Sequence, residues 1–325
     1  MLHALAKLAA DLQAPSRAAS ASGVLEDAKT LVWSTAAQHG ERMLVEGVVT
    51  RSSKLSVHHT NWRSIVSASD LLGEHPRHDQ KAYRLGHRPL GRGGQAEVYP
   101  AEHKSTGALV ALKRRRSWNV EAVARMQREI EFGQLLMGDD HIMPVLDFGL
   151  KHDWFVMPLA QGNAEDARLS LLEDGALTAL VTAICSALEA AHGKGWLHRD
   201  LKPANLLLVD GRWTVADWGL GRRPRGDTTF TGRTKTGEFL GSEGFAAPEQ
   251  ATDAHEATAC ADLYSLGQII GWARTGRTPK HGAPLVPDEE PWRSIVIAAT
   301  QMKPDARPQT AREFLEIMNA RIRRA

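Results

Sequence analysis

Along this chain the apolar residues fall first into short runs and later into a helical spacing. Residues 109–113, Leu-Val-Ala-Leu-Lys, follow a Ser105-Thr106-Gly107 turn and predict a strand. The runs 141–149 and 154–160 are short, apolar and bounded by polar turns, so both predict further strands. Ahead of them, 120–136 places Val123, Met126, Ile130 and Leu135 roughly on one face, which predicts a helix. Later the period lengthens. Leu180, Ile184, Leu188 and Ala191 lie on one helical face just before Gly195, and 213–216 is a short strand.

The first 82 residues carry a different pattern. Leu2, Leu5, Leu8 and Leu12 form a short amphipathic helix stopped by Pro15, and 23–40 predicts a second helix. Residues 43–51 and 55–66 are candidate short strands, and 67–80 is a polar linker. The opening helix is mildly basic, but Asp11 argues against a transit peptide and favours a docking helix. His58-His59 has no cysteine or carboxylate cluster beside it and reads as a surface pair, not a metal site.

With 325 residues, 42% of them hydrophobic, and a net charge of +2, the chain fits one large domain with an appendage. Two cysteines, Cys185 and Cys260, are too few for a disulfide framework. Cys185 sits in an apolar helix, as an inert core thiol in a reducing compartment would. No apolar run approaches the ~18 residues needed to cross a bilayer, so no membrane partner is expected. No run of lysine and arginine with interleaved aromatics points to nucleic acid. The basic cluster 113–116 reads as a solvated strand edge.

The candidate chemistry lies in His198-Arg199-Asp200-Leu201-Lys202-Pro203-Ala204-Asn205, followed by Asp217-Trp218-Gly219. A carboxylate, a lysine and an amide within six residues, then a second carboxylate beside glycine, suit phosphoryl transfer, which is mostly positioning and charge neutralisation. Asp200 can orient an attacking hydroxyl and accept its proton, Lys202 can steady the transferring group, and Asn205 and Asp217 can hold bridging metal ions. Upstream, Leu90-Gly91-Arg92-Gly93-Gly94-Gln95-Ala96-Glu97-Val98 also satisfies the looser dinucleotide fingerprint. That loop should open into a helix. Here it leads to a turn and a second strand ending in Lys113, and its glycines let backbone amides approach phosphate.

These motifs resemble those of the eukaryotic-like serine/threonine protein kinases, over residues 83 to about 321. The resemblance implies an α+β, two-lobed protein kinase fold. A small antiparallel-sheet lobe with helix αC (83–157) would precede a large, mainly helical lobe (161–321), with 1–82 as an N-terminal extension. It implies ATP with Mg2+, or Mn2+, and protein substrates. Lys113 would pair with Glu129 of helix αC, against the competitors Glu121 and Glu131. Met157 would be the gatekeeper, with Pro158 and Ala160 facing the adenine edge, and Val98, Ala111 and Leu207 sandwiching the ring. Leu90, Gly91, Gly93 and Gly94 would complete the nucleotide loop. Ala96 stands where the family usually has a third glycine, which should stiffen the loop tip.

Further correspondences are structural or regulatory. Ala247-Pro248-Glu249 and Arg307 match a buried structural ion pair, Asp262 to Gly267 matches the central helix of the large lobe, and 278–295 is shorter than the family norm. Trp218 replaces phenylalanine and Gly133 replaces a leucine, so Gly133 is expected to make room for the indole. Thr234 and Thr236 have the spacing of phosphorylated loops in bacterial relatives, with Ser242 as a structural hydroxyl. A phosphate there would be drawn to Arg199, after transient self-association for phosphorylation in trans. Many bacterial relatives continue into a transmembrane helix, whereas this sequence stops at Ala325, so a cytoplasmic location is expected. The alternative is a pseudokinase scaffold, although every residue that such proteins typically lose is present.

Overall fold

The structure, a computed structural model, describes residues 77–221, 244–252 and 257–324. The chain first builds a six-stranded antiparallel sheet in the order β1-β3-β4-β6-β5, with β2 pairing β3 at Glu97 and Val98, ahead of the stretch that pairs β1. The strands are β1 Tyr83–Leu85, β2 Gly91–Arg92, β3 Ala96–His103, β4 Leu109–Arg115, β5 Asp147–Phe148 and β6 Trp154–Pro158. β4 lies between β3 and β6, so Val110, Ala111 and Leu112 are buried on both faces. A central strand reads as a continuous apolar run for that reason.

Only the end of the predicted strand 141–149 joins this sheet. Pro144 has no N–H to give a ladder. Before it, Ile142 bridges Val215 in parallel and the Met143 N–H donates to the Val215 carbonyl at 3.0 Å. After it, the Leu146 N–H donates to Val156 of β6 at 2.8 Å. One apolar run therefore serves two sheets.

Helix α1, Val120–Leu135, starts at Asn119, whose side chain accepts the Ala122 N–H at 2.7 Å. Its buried face is Ala122, Met126, Glu129, Ile130, Phe132 and Gly133. Leu135, expected on that face, is 52% exposed, because nine residues from Met126 is about half a turn out of phase. The polar segment 67–80 is more than a linker at its end. The His78 N–H donates to buried Asp147 at 3.0 Å, and the Tyr83 hydroxyl donates to the other carboxylate oxygen at 2.9 Å.

The larger lobe packs around α2, Asp174–Gly193, and α4, Ala259–Thr275. By length and composition α2 could cross a bilayer, contrary to the expectation that no apolar run approaches that length. Here nine of its side chains, including Leu180, Ile184, Leu188 and Ala191, are buried against α4 and α6, Ala311–Ile322. Thirteen of the seventeen residues of α4 are buried. Gly271 permits this, since a Cβ there would lie 1.9 Å from the Leu285 carbonyl oxygen. The remaining helices are α3, Glu249–Thr252, and α5, Trp292–Ala299, and no helix interrupts the chain between Gly276 and Pro291.

Glu249 and Arg307 form the expected tie. Nη1 and Nη2 reach the two carboxylate oxygens at 2.7 and 2.9 Å, and Nε donates to Gln301 O at 2.6 Å. The Arg307 guanidinium also stacks over Tyr264 at 4.8 Å. Losing one partner of such a pair costs about 3–5 kcal/mol, because the other charge stays buried.

Gly133 does not serve Trp218. A Cβ at 133 would meet Val145 Cγ2 at 2.6 Å, Val145 N at 3.1 Å and Met143 O at 3.3 Å. The glycine lets the 143–145 chain cross close to α1, while the indole stacks on Phe132 at 3.9 Å and meets His198 at 4.4 Å. Gly133→Ala is therefore expected to destabilise by about 1–3 kcal/mol through overpacking, despite alanine's better helix propensity. Adding Trp218→Phe should bring no relief, with the two effects summing to within about 0.5 kcal/mol in denaturant melts. Recovery in the double variant would restore the coupling that the sequence suggested.

Candidate active site

A short hairpin sets the metal-type side chains. β8, Leu206–Val209, pairs antiparallel with β7, Gly162–Asn163, on one side and with β9, Arg212–Val215, on the other, where Leu206 lies opposite Val215. One step further the ladder closes with the Ala216 N–H donating to Asn205 O at 2.9 Å. Asn205 at the start of the hairpin and Asp217 just past its end are thus brought side by side. The amide nitrogen of Asn205 donates to the Asp200 carbonyl at 2.8 Å, which commits its NH2 group and leaves its oxygen for a cation. Among the described residues no group of three His, Cys, Asp or Glu side chains could hold a metal unaided. An amide oxygen and a carboxylate are the hard donors that Mg2+ takes when phosphate oxygens and water supply the rest.

Lys113 of β4 joins both lobes. Its ammonium donates to Glu129 Oε1 and Oε2 at 2.8 and 2.7 Å and to Asp217 Oδ1 at 3.1 Å. Burial opposes its charge, but the two carboxylates outweigh that and hold its pKa above the ordinary lysine value. Lys113 in turn holds Asp217 below the usual carboxylate range against the cost of burial. The competitors are engaged elsewhere, Glu121 with Arg125 at 2.5 Å and Glu131 with Gln127 at 2.9 Å.

The loop between α2 and β8 carries Asp200 and Lys202, whose Nζ donates to Asp200 Oδ2 at 2.9 Å. His198 is fixed by its partners. Nε2 lies 3.0 Å from the Ala216 carbonyl, and Nδ1 receives the Asp200 N–H at 3.2 Å, which assigns the Nε2–H tautomer. Beneath the loop, Asp262 of α4 accepts the His198 N–H at 2.9 Å, the Arg199 N–H at 2.8 Å and His192 Nε2 at 2.8 Å. Burial resists its ionisation, but His192 and these backbone donors keep it below the usual range. Sequence reasoning placed Asp262 in a helix without giving it this duty. The available signal was a carboxylate set among the apolar residues of a core helix.

A cavity of about 570 Å³ gathers the polar groups. Gly91, Gly93, Gly94, Val98, Lys113, Glu129, Asp200, Lys202, Asn205 and Asp217 all line it. Leu90, Ala111, Met157, Pro158, Ala160 and Leu207 do not. Of these, Ala111, Met157, Ala160 and Leu207 join Val98 in one apolar cluster, the kind of surface that takes a flat ring. Pro158 ends β6 opposite Val110, and Leu90 is exposed, with its N–H donating to Val98 O at 2.7 Å. The expected solvated edge at 113–116 is only half so. Arg114 and Arg116 face Glu97 outside, while Lys113 and Arg115 turn inward. Thr234, Thr236 and Ser242 lie outside the described residues, as do His58-His59 and the predicted elements before residue 77.

Asp262→Ala is expected to cost about 3 kcal/mol, since it strips two buried backbone donors of their acceptor. Amide exchange should quicken at His198 and Arg199 while β3 and β4 stay protected. Unchanged protection at those two amides would mean that the loop is held by other contacts.

Comparison with known proteins agrees with this geometry. The protein kinase domain family profile matches residues 85–321. The serine/threonine-protein kinase PknD of Mycobacterium tuberculosis is 34% identical over 234 residues, 69% of this chain and 33% of that protein. PknE of Mycobacterium bovis is 34% identical over 212 residues, 62% of this chain and 36% of its own. PknH of the same organism is 34% identical over 201 residues, 59% and 33% of the two chains. The chain thus spans about a third of the length of these relatives. With the family's sequence profile running through both lobes and Lys113, Glu129, Asp200, Asn205 and Asp217 gathered around one cavity, this chain belongs to the eukaryotic-like serine/threonine protein kinase family.

Proposed function

We propose that this chain transfers the terminal phosphate of ATP to serine and threonine hydroxyls of proteins, with Mg2+ or Mn2+ as the accompanying cation. The observation that carries this is the assembled set of charges. Lys113 is held by Glu129 and Asp217, and the Asp200–Lys202 pair opens into the same cavity. A scaffold without activity would have no need to hold all of them. When bound, the cation neutralises phosphate charge, and Asn205 and Asp217 are the residues that would hold it. Asp200, with Lys202 donating to its Oδ2 at 2.9 Å, orients the substrate hydroxyl and takes its proton. As the hydroxyl oxygen bonds to phosphorus, the bond to the bridging oxygen breaks and ADP leaves. Lys202 and Lys113 offset the negative charge on either side. The adenine ring would lie against Val98, Ala111, Met157, Ala160 and Leu207. Lys202 at its position favours Ser/Thr over Tyr, and a cytoplasmic setting is part of this proposal.

Asp200→Asn is expected to bind Mg-ATP normally and lose at least about 100-fold in transfer. Asp217→Asn should instead lose the metal-dependent part of ATP affinity. Calorimetry and transfer of labelled phosphate measure both, and robust turnover in either variant would refute the assigned roles.

Regulation is proposed through phosphate on Thr234 or Thr236, placed by transfer between two copies and drawn to Arg199. Mass spectrometry of the wild type and the Asp200→Asn variant should find phosphate at one or both only in the former. Full activity of a Thr234→Ala/Thr236→Ala variant would remove this mechanism.

A further inference from the structure

The inward half of the basic strand end carries a second inference. Arg115 is 8% exposed, and its Nε, Nη1 and Nη2 atoms are all buried without a hydrogen-bond partner among the described residues. Its backbone is spent on the sheet, the N–H donating to Asp153 O at 2.9 Å, and one guanidinium face is covered by Trp118 at 4.3 Å. A buried guanidinium needs anionic or carbonyl acceptors, and leaving five donors unmet is among the costlier things a fold can do. Neither Lys113 nor Arg307 is left in that condition; each is met by carboxylates.

Position explains what the group faces. Arg115 is two residues beyond Lys113 on the same side of β4, roughly 7 Å along the strand. It lies opposite Ala96, at the tip of the glycine loop, where Lys113 lies opposite Val98. Both line the same cavity, which continues past the loop tip to the first turns of α1 at Ala122 and Arg125. Gln95 at the tip also leaves its side-chain oxygen buried and unpaired, and its amide could turn to donate. Five cationic side chains line this cavity against three carboxylates. Of the carboxylates, Glu129 and Asp217 are bound by Lys113, and Asp200 is bound by Lys202.

We propose that Arg115 is the centre of an anion subsite at the loop-tip end of the cavity, built for a terminal phosphate group. A tetrahedral dianion offers several acceptors to the fork of a guanidinium, and the partial positive charge of the α1 N-terminus adds to the attraction. That phosphate comes either from the end of the nucleotide's own chain or from a phosphorylated side chain of a protein. The first source rests on the kinase function proposed above, and the second does not.

Calorimetric titration of the full chain and its Arg115→Leu variant with Mg-ATP, Mg-ADP and phosphothreonine distinguishes them. If the nucleotide supplies the group, ATP binding weakens by about tenfold in the variant while ADP binding holds. If a phosphorylated side chain supplies it, both nucleotides bind as before, and phosphothreonine binding in the presence of Mg-ADP is lost. Wild-type binding of phosphothreonine without either nucleotide would keep the subsite and remove the kinase function. Unchanged binding of all three ligands in the variant overturns the subsite and leaves the kinase function standing. The ligand-free variant should also melt at a higher temperature than wild type, because an unmet buried charge has been removed. Arg115→Gln, of similar reach but uncharged, gives the same comparison should the leucine variant not fold.

Discussion

Burying a lysine ammonium costs several kcal/mol unless fixed anions meet it, and here the anions come from two separate parts of the chain. Lys113 stands on the central strand, Glu129 on α1 and Asp217 at the exit of β9, so no pair of them is local in sequence. Satisfying this one charge sets α1 against the sheet and the Asp217 turn against α1. Displacing α1 would strand Lys113 beside Asp217 alone, with Glu129 losing its counter-charge. The aromatic column of His198, Trp218 and Phe132, continued to Trp196 at 5.1 Å, gives the same arrangement an apolar reinforcement. Arg128 adds a polar one, its Nε donating to Gly219 O at 3.0 Å.

Two non-glycine residues beside the chemistry hold left-handed backbone conformations, Arg199 at φ 68° and Asp217 at φ 63°. Such conformations persist only where surrounding contacts over-determine them. Arg199 is gripped from both sides, its N–H by Asp262 and its carbonyl by the Gln250 amide at 2.9 Å. Asp217 is gripped by Lys113, and its neighbour Ala216 is fixed by the closing hydrogen bond of the β8–β9 hairpin. The rigid large-lobe core explains why this is affordable. Asp262 is carried by the most buried helix among the described residues, so the loop that it holds is anchored to the core.

The lobes differ in how their charges are met. Glu249 and Arg307, deep in the large lobe, satisfy each other with both carboxylate oxygens and have only a structural duty. In the cleft, Lys113, Asp200, Lys202 and Asp217 are paired yet face open volume, and Arg115 is buried without any such pairing. Charge facing a cavity, against charge consumed inside a core, distinguishes the two sets.

Residue types at fixed spacing made the site legible before any fold was known. Asp200, Lys202, Asn205 and Asp217 announce phosphate chemistry because few other reactions need a carboxylate, a lysine, an amide and a second carboxylate so close together. The β3–β4 hairpin, the α2 core face and the partnership of Glu249 with Arg307 were equally readable, since turn residues and periodicity act locally or through motif. Periodicity says which residues share a face but not what that face meets. The sequence alone therefore misplaces Leu135, predicts one strand over 141–149 although Pro144 divides it, and matches Gly133 with an indole that packs elsewhere. The four basic residues 113–116 look alike in sequence; the pleat turns Arg114 and Arg116 to water and Lys113 and Arg115 to the cleft. Which charges are buried, and by what they are met, follows only when strands and helices distant in sequence are packed together.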